Sequence, residues 1–395
     1  MCNGSIMDKL ISFSIPLMLS GILQLMFNAV DIVVVGRFSG SQALAAVGST
    51  TALINVFTNL FIGISLGANV LAARYYAAGK TKEMSETVHT AIALALVSGV
   101  AMAVIGVVFA KGALEIMGTP DDVIAKSTLY MRIYFCGMPF FMMYNYGAAI
   151  LRAVGDTKRP LIFLIVSGVI NAVLNLFLVI GFHLDVAGVG IATVISQLVS
   201  CILVLRCLHH TESSYQLHLA KLRIRSVYLK QIFEVGVPAG IQSTVINISN
   251  AMLQSSVNSF GSIAMAGYTA SNNIFGFLYV SVNSFTQACM SFTSQNYGVK
   301  KLKRMDRVLI DCMILSVVVT LILGSSVYIF GPELLHIYSN QADVIKYGME
   351  IFSYTTVTYF LCGLMDLFPG ALRGMGYSTV PMILSIIGTV GVRII

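Results

Sequence analysis

The chain has 395 residues, of which 57% are hydrophobic and only 10% are charged, whereas charged residues make up ~25% of a typical soluble domain. A water-soluble domain of this size cannot hide so much apolar surface, so the composition indicates a chain dissolved in lipid. The net charge of +7 arises from short basic clusters between apolar runs, which is typical of membrane topology signals and not of a nucleic-acid groove. We therefore expect the lipid bilayer as a partner and no nucleic acid.

Apolar runs long enough to cross the ~30 Å hydrocarbon core as helices recur through nearly the whole chain. We predict an all-α polytopic membrane protein with a polar linker over residues 209–230. In chain order, the predicted helices are 10–35, 44–72, 88–110, 127–150, 160–182, 187–208, 231–257, 265–290, 309–331, 346–370 and 381–395. The sequence shows no series of alternating ten-residue strands, which argues against a transmembrane barrel.

The basic residues predict the orientation of these helices. With the N-terminus inside, 18 of the 24 lysines and arginines fall in cytoplasmic segments and only four in outer ones. The outer four are Arg37, Lys111, Lys126 and Lys346, while Arg132 and Arg393 lie within helices. Because the basic excess marks the cytoplasmic side, we predict a cytoplasmic N-terminus.

A segment at the end of the fourth predicted helix recurs at the end of the tenth. Residues 151–160 (LRAVGDTKRP) match residues 372–381 (LRGMGYSTVP) at an offset of 221, and Tyr76 matches Tyr297 at the same offset. Six predicted helices separate equivalent points, so the two halves run in the same direction across the membrane, an arrangement that transporters use.

The repeat divides the chain into an N-lobe (1–208), a cytoplasmic linker (209–230) and a C-lobe (231–395). Ile395 corresponds to a position in the middle of the fifth helix of the first half. We therefore expect a twelfth helix after the present end, so that the second repeat is truncated and eleven of twelve helices are present.

Several short motifs, in their order along the chain, resemble the multidrug and toxic compound extrusion (MATE) family of transporters. The motifs are Pro16, residues 31–37 (DIVVVGR), residues 45–48 (AAVG), residues 151–156 (LRAVGD) and the copy of the last one around Arg373. The resemblance implies two six-helix lobes around a central cavity, and export of small organic cations, drugs among them, in exchange for H⁺ or Na⁺. It also implies a monomeric, multi-pass protein of a bacterial plasma membrane that needs no cofactor.

Asp31 is the first candidate for the coupling site, because a carboxylate deep in a membrane helix costs ~2.5–3.5 kcal/mol even on the mildest scale. Gln24, Asn28 and Asp31 are spaced i, i+4, i+7 and share one helix face. The family's first-helix aspartate, implicated in cation coupling, falls at Asp31, so the resemblance implies that H⁺ or Na⁺ binds here with Asn28 alongside. The alternative is an aspartate near a helix end that reaches interfacial water or pairs with Arg37.

Asp366 is the second candidate. It lies in the tenth predicted helix between Gly363 and Pro369, two residues that loosen a helix. One branch of the family uses a tenth-helix aspartate in cation binding, and this position is similar. The alternative is that Asp366 reaches the interface near Arg373.

The chain departs from the family at two positions. The branch with the tenth-helix aspartate also has a seventh-helix glutamate, where this chain offers a neutral polar stripe. Another branch has an aspartate in the fifth helix, where this chain has Asn171 and Asn175, one turn apart; we expect Asn175 to join the cation site. Both departures leave the choice between H⁺ and Na⁺ open. The stripe consists of Ser243, Asn247, Asn250 and Gln254.

Amides at helical spacing predict a hydrated substrate cavity. The alternative for each of them is interhelical hydrogen bonding, worth ~0.6 kcal/mol. The predicted cavity residues are Gln24, Asn55, Asn59, Asn171, Asn247, Asn250, Asn283 and Gln287.

Three other functions compete with ion-coupled export. A flippase for a lipid-linked precursor, from the same superfamily, needs a basic cavity for pyrophosphate, whereas the charges inside the predicted helices are mainly acidic. An intramembrane enzyme needs paired carboxylates, metal-spaced histidines or a Gly-x-Ser-x-Gly elbow, and the predicted helices contain none of these. We therefore predict no catalytic residue, and no metal site apart from Na⁺ at Asp31. A passive channel would not need a two-lobe repeat.

Overall fold

The structure is a computed structural model that describes residues 1–391, with positions 41, 52, 251, 255, 258 and 262 described by their backbone alone. The regular elements of this part of the chain are all helical. They are α1 (Ile6–Phe38), α2 (Gly40–Ala77), α3 (Thr81–Ile116), α4 (Asp121–Cys136), α5 (Met138–Val154), α6 (Lys158–Leu176), α7 (Asp185–His209), α8 (Ser226–Asn258), α9 (Ser262–Gly298), α10 (Leu302–Ile329), α11 (Gly331–His336), α12 (Ala342–Gly374) and α13 (Thr379–Gly391). A π-helical turn, Phe177–Gly181, continues α6, and a 3₁₀ turn, Leu219–Lys221, lies in the linker.

The helices follow the predicted order, and most extend past their predicted ends. The third helix, predicted over 88–110, runs from Thr81 to Ile116. Hydropathy marks only the part of a helix that lies in hydrocarbon, whereas its backbone hydrogen bonds continue into the polar turns on either side. Residues 392–395 of the last predicted helix, with Arg393 and Ile395, lie outside the described residues.

The prediction of one continuous helix over 127–150 is wrong. Helix α4 ends at Cys136 and α5 begins at Met138. Pro139 causes the break, because it has no N–H to donate to the carbonyl of Phe135 and its ring clashes with that carbonyl. Helix α3 packs against the break through Gly99, where a Cβ atom would lie 2.5 Å from Pro139 Cα.

Within residues 1–391, seven helices are long and apolar enough to cross a membrane: α1, α2, α3, α6 with its π-helical turn, α7, α10 and α12. Helices α8 and α9 have the length but carry many hydroxyl and amide side chains, and Pro139 divides the fourth predicted span into two shorter pieces. One face of α3 is apolar and is not covered by other helices: Val104, Val108 and Phe109 on it are 59%, 63% and 64% exposed. Such a face suits acyl chains as its solvent.

Contacts divide the chain into two compact units. The first unit is Leu19–Gly240, and the second consists of Met1–Met18 and the chain from Ile241 onward. Helices α1 and α8 therefore contribute to both units, and each is divided two residues after an internal proline, Pro16 or Pro238. These two prolines are 222 residues apart, one more than the repeat offset of 221. The boundaries of the predicted lobes stay a prediction.

Each unit has its own core of large side chains. In the first unit, the buried ring of Phe135 lies directly on Gly106, where a Cβ atom would overlap it. In the second unit, Phe13 meets Phe292 edge-to-face with ring centroids 5.5 Å apart. Close contact of this kind supplies much of the packing energy in a membrane protein, where lipid is as apolar as the core.

Helices α2 and α8 approach one another at four glycines within the first unit. Gly63 and Gly67 of α2 face Gly236 and Gly240 of α8, with the i, i+4 spacing typical of close helix pairs. A Cβ atom on Gly236 would lie 2.5 Å from Ile64 Cα, and one on Gly63 would overlap the backbone of Gly240. The two helices can therefore approach this closely only because glycine has no side chain.

Candidate cation-binding site

Asp31 lies two turns before the end of α1, and its side chain is half-buried against α6. The amide nitrogen of Asn175 donates a hydrogen bond to Asp31 Oδ1. The same nitrogen also donates to Asn171 Oδ1, 3.2 Å away and one turn earlier on α6. The structure thus brings together three of the residues singled out in the sequence, and both asparagines are buried.

Packing one turn away from Asp31 holds α1 and α6 together. The ring of Phe27 on α1 occupies the position that a Cβ atom on Gly168 of α6 would take. Gly168 precedes Asn171 and Asn175 on the same helix, so this contact sets the separation at which the Asp31–Asn175 hydrogen bond forms. The π-helical turn begins two residues after Asn175, and π-helical turns occur often at functional sites because they widen the helix locally.

Two tyrosines of α4 complete the surroundings of Asp31. Tyr130 and Tyr134 both lie close enough to interact electrostatically with its carboxylate. Lys126, one turn before Tyr130, pairs instead with Asp185 at 2.6 Å. Within the described part of the chain, Asp31 has no basic partner, and Arg37 does not pair with it. The carboxylate is therefore held by neutral groups.

The oxygen atoms around Asp31 fit a hard monovalent cation or a proton. Asn175 Oδ1 is buried and has no hydrogen-bond partner among the residues that the structure describes. A buried acceptor without a partner costs free energy, and a bound cation or a proton on Asp31 would satisfy it. The carboxylate of Asp31 and this amide oxygen are ligands of the kind that hard cations prefer.

Gln24 and Asn28 lie on an exposed face of α1, and neither contributes a hydrogen bond to the Asp31–Asn175 pair. Met26 and Val33, 51% and 60% exposed, lie on the opposite side of the helix. Only the apolar face suits acyl chains, because polar groups without partners are costly in hydrocarbon. The face with Gln24 and Asn28 therefore requires water or polar partners.

Asp366 belongs to a different polar network, in the second unit. The hydroxyl of Tyr279 on α9 hydrogen-bonds to Asp366, and the Arg373 guanidinium two turns along α12 attracts it electrostatically. Arg373 in turn donates to Gln242 Oε1 of α8. Asp366 thus interacts with an arginine of its own helix, whereas Asp31 does not interact with Arg37 of α1.

Sequence reasoning missed Gln242, which is buried and also donates to the hydroxyl of Ser385 on α13 at 2.6 Å. The polar stripe on this helix directed attention to the neighbouring face that starts at Ser243. The signal that could have found Gln242 is the repeated Leu-Arg motif, because a buried Arg373 needs an acceptor on another helix.

The remaining predicted cavity residues are not joined to either network. Asn55, Asn250 and Asn283 are exposed, whereas Asn59 and Gln287 are half-buried. Asn247 bonds to the carbonyl of Ser243 on its own helix at 2.9 Å. Their role as cavity lining stays a prediction, and Asn171 belongs to the Asp31 network.

A helical membrane protein that holds a lone carboxylate with amides between spanning helices has the features of an ion-coupled carrier. A family model described as MatE matches residues 16–177 and 238–395. Probable multidrug resistance protein YoeA of Bacillus subtilis is 30% identical over 389 residues, which cover 97% of this chain and 84% of that protein. Multidrug export protein MepA of Staphylococcus saprophyticus is 23% identical over 390 residues, which cover 98% and 85%.

Solved structures agree with these relatives in fold. The outward-facing conformation of a multidrug resistance MATE family transporter of the MOP superfamily matches with a TM-score of 0.92 at 20% identity, over 98% of this chain and 87% of that one. A MOP superfamily transporter from Pyrococcus furiosus matches with a TM-score of 0.91 at 22% identity, over 98% and 86%. The chain belongs to the MatE family of membrane transporters. The predicted family, the predicted all-α membrane fold and the prediction that the chain is not an enzyme are confirmed.

Proposed function

We propose that this protein is a secondary antiporter that exports small organic cations, drugs among them, in exchange for H⁺ or Na⁺ bound at Asp31. The observation that carries the proposal is a carboxylate held only by neutral groups between two membrane helices, next to a buried amide oxygen without a partner. Relatives named as multidrug resistance and multidrug export proteins support the substrate class.

The Asp31–Asn175 pair can exist in two states. When Asp31 is charged, it accepts the N–H of Asn175. When Asp31 is protonated or holds Na⁺, its charge is neutralised, and the Oδ1 atom of Asn175 becomes the better partner for its proton or its cation. The inward-moving cation and the exported cation then favour different states of this pair. Movement of the two predicted lobes exposes the site first to one side of the membrane and then to the other.

Charge balance limits the driving force. Exchange of one proton for one monovalent organic cation moves no net charge, so only the pH gradient contributes, at ~1.4 kcal/mol per pH unit. A second coupled cation at Asp366 would make the exchange electrogenic and add ~2.3 kcal/mol per 100 mV. We propose Asp366 as this second site, with Arg373 as the competing charge that would have to be displaced.

The protein functions, in this proposal, as a monomer in a bacterial plasma membrane, with its N-terminus in the cytoplasm. The distribution of lysine and arginine supports the orientation. The bacterial relatives support the location.

Export by proteoliposomes under imposed H⁺ and, separately, Na⁺ gradients tests the function. We expect uphill transport of organic cations with one of the two gradients, and loss of that transport in Asp31→Asn, which has the same shape but no charge to neutralise. Asp8→Asn is the matched control, because Asp8 lies on the same helix, is exposed and forms no ion pair in the described residues. Undiminished gradient-driven export by Asp31→Asn would refute the assigned role of Asp31.

A further inference from the structure

A surface cleft of about 520 Å³ lies between the first two turns of α3 and the linker that leads to α8. Lys82, Ser85 and Glu86 line it from α3, and Lys221 and Arg223 line it from the linker. All of these residues belong to the first unit. Both segments that form the cleft are far from Asp31 in the sequence. None of the residues that line the cleft belongs to the Asp31 site.

The linker wall of this cleft is firmly held. Leu217 is fully buried in the core of the first unit. The backbone N–H of His218 donates to His89 Nε2 at 3.1 Å, and His89 Nδ1 donates to the carbonyl of Ser85 at 2.6 Å. The imidazole of His89 therefore joins α3 to the linker next to the cleft, with Nε2 as acceptor and Nδ1 as donor.

The cleft carries more positive charge than its single carboxylate can balance. Arg223 and Arg225 both bond to Glu86. Lys82 and Lys221 are exposed, and among the described residues the ammonium group of neither has an ion-pair or hydrogen-bond partner. Burial and the Lys221 ammonium lower the pKa of His218, as expected in a positively charged region.

The chain next to the linker residues that line the cleft carries exposed apolar side chains. Leu219, Ile224 and Val227 are 58%, 41% and 63% exposed, although basic residues lie between them along the linker and the first turn of α8. The cleft also lies at the starts of α3 and α8, a few residues before the predicted spans 88–110 and 231–257, where we expect the lipid headgroups. Exposed apolar side chains next to unpaired lysines are typical of a segment that contacts an anionic bilayer.

We propose that this cleft binds the phosphodiester headgroup of an anionic phospholipid. Lys82 and Lys221 are the charges that hold the phosphate, while Leu219, Ile224 and Val227 meet the upper acyl chains. Glu86 is already neutralised by the two arginines, so it does not repel the anion. The lipid would fasten the linker, and with it the start of α8, to one leaflet.

The absence of tryptophan from the sequence allows a direct test. Leu219→Trp places a single tryptophan at the edge of the cleft, in full-length protein reconstituted into vesicles of phosphatidylglycerol and phosphatidylcholine. Two preparations have the same lipid composition. In one of them the phosphatidylglycerol is brominated, and in the other the phosphatidylcholine is brominated. We expect the brominated phosphatidylglycerol to quench at least fivefold more than its mole fraction predicts, which corresponds to ~1 kcal/mol for a lysine near the phosphate.

Variants in the same background separate this cleft from general surface charge. Lys82→Gln with Lys221→Gln should bring quenching down to the level set by mole fraction. Lys303→Gln should leave it unchanged, because Lys303 is the equivalent of Lys82 at the repeat offset of 221, is equally exposed and lies outside the cleft. Equal quenching by both lipids in the parent, or equal loss in the control, would overturn the proposal.

A soluble phosphate is the other source of the same chemistry. Inorganic phosphate titrated into the Leu219→Trp protein in neutral detergent should leave the emission unchanged at millimolar concentration. If phosphate shifts the emission and removes the preference for phosphatidylglycerol, the cleft is a site for soluble phosphate and the lipid assignment is wrong.

Discussion

Asparagine suits the position next to Asp31 because its amide can present either a donor or an acceptor. A charged carboxylate needs the N–H of Asn175, whereas a protonated or cation-bound carboxylate needs the oxygen of the same amide. A second aspartate at position 175 would instead place two carboxylates at close range, and one of such a pair tends to keep its proton. The residue at position 175 therefore bears directly on stoichiometry.

Asn175→Leu removes both the donor and the acceptor while keeping the volume of the side chain. We expect gradient-driven export to fall by about tenfold to a hundredfold, the range that corresponds to a hydrogen bond to a charged group, ~1.5–3 kcal/mol. The measurement is the initial rate of export in proteoliposomes, together with the thermal unfolding of the same preparation.

Asn145→Leu is the control for this change. Asn145 is also an amide within a membrane helix, but it donates to the carbonyl of Phe141 on its own helix at 2.8 Å. Export by the Asn145 variant should stay close to that of the parent. If both variants lose export equally while remaining folded, the effect does not come from the Asp31 pair.

The contact between α2 and α8 requires glycine, because any larger residue would keep the two helix backbones apart. Four glycines meet within the first unit, and Pro238 of α8 lies between two of them. The proline interrupts the hydrogen-bond ladder of α8 at the place where the helix passes from one unit to the other. The close contact is therefore followed by a turn of α8 that has one backbone hydrogen bond fewer.

Gly63→Ala should destabilise this contact, because the added methyl group would overlap the backbone of Gly240. We expect a loss of ~1–3 kcal/mol, the usual cost of overpacking, seen as a lower midpoint of thermal unfolding in detergent. Gly48→Ala on the same helix should be neutral or stabilising by ~0.5–1 kcal/mol, since nothing lies within 4 Å of its Cβ position. Equal midpoints for the two variants would contradict the close approach.

The parallel repeat has a consequence for the whole molecule that can be tested without a substrate. Equivalent positions in the two halves, such as Lys82 and Lys303, must face the same side of the membrane. The loop that begins α4 must face the other side, because one membrane helix separates it from Lys82.

Labelling of single cysteines in intact cells measures this topology. The seven native cysteines are free thiols, so their replacement breaks no disulfide. An impermeant maleimide should label Asp121→Cys at once, whereas Lys82→Cys and Lys303→Cys should react only after permeabilisation. Labelling of the two lysine positions from opposite sides would refute the parallel arrangement, and labelling of both in intact cells would reverse the proposed orientation.

The amino-acid sequence by itself determined the membrane fold, the order of the helices and the family. These properties follow from local composition, since each spanning helix must satisfy its own backbone and present ~20 apolar residues to lipid. The sequence also named Asp31, Asn171 and Asn175 as site candidates, because polar groups in hydrocarbon are costly wherever they occur. The sequence predicted which chemical groups form the site, but not how they are arranged in space.

Only the tertiary structure decided which polar group meets which. The bond from Asn175 to Asp31, the partnership of Arg373 with Gln242 and the fit of Phe27 against Gly168 all join residues far apart in the chain. Such contacts depend on the rotation and separation of neighbouring helices, which are set by the packing of many side chains together and not by the hydropathy of any one segment. For the same reason, the sequence marked Asp31 and Asp366 alike, while the fold surrounded the first with neutral groups and placed a guanidinium near the second.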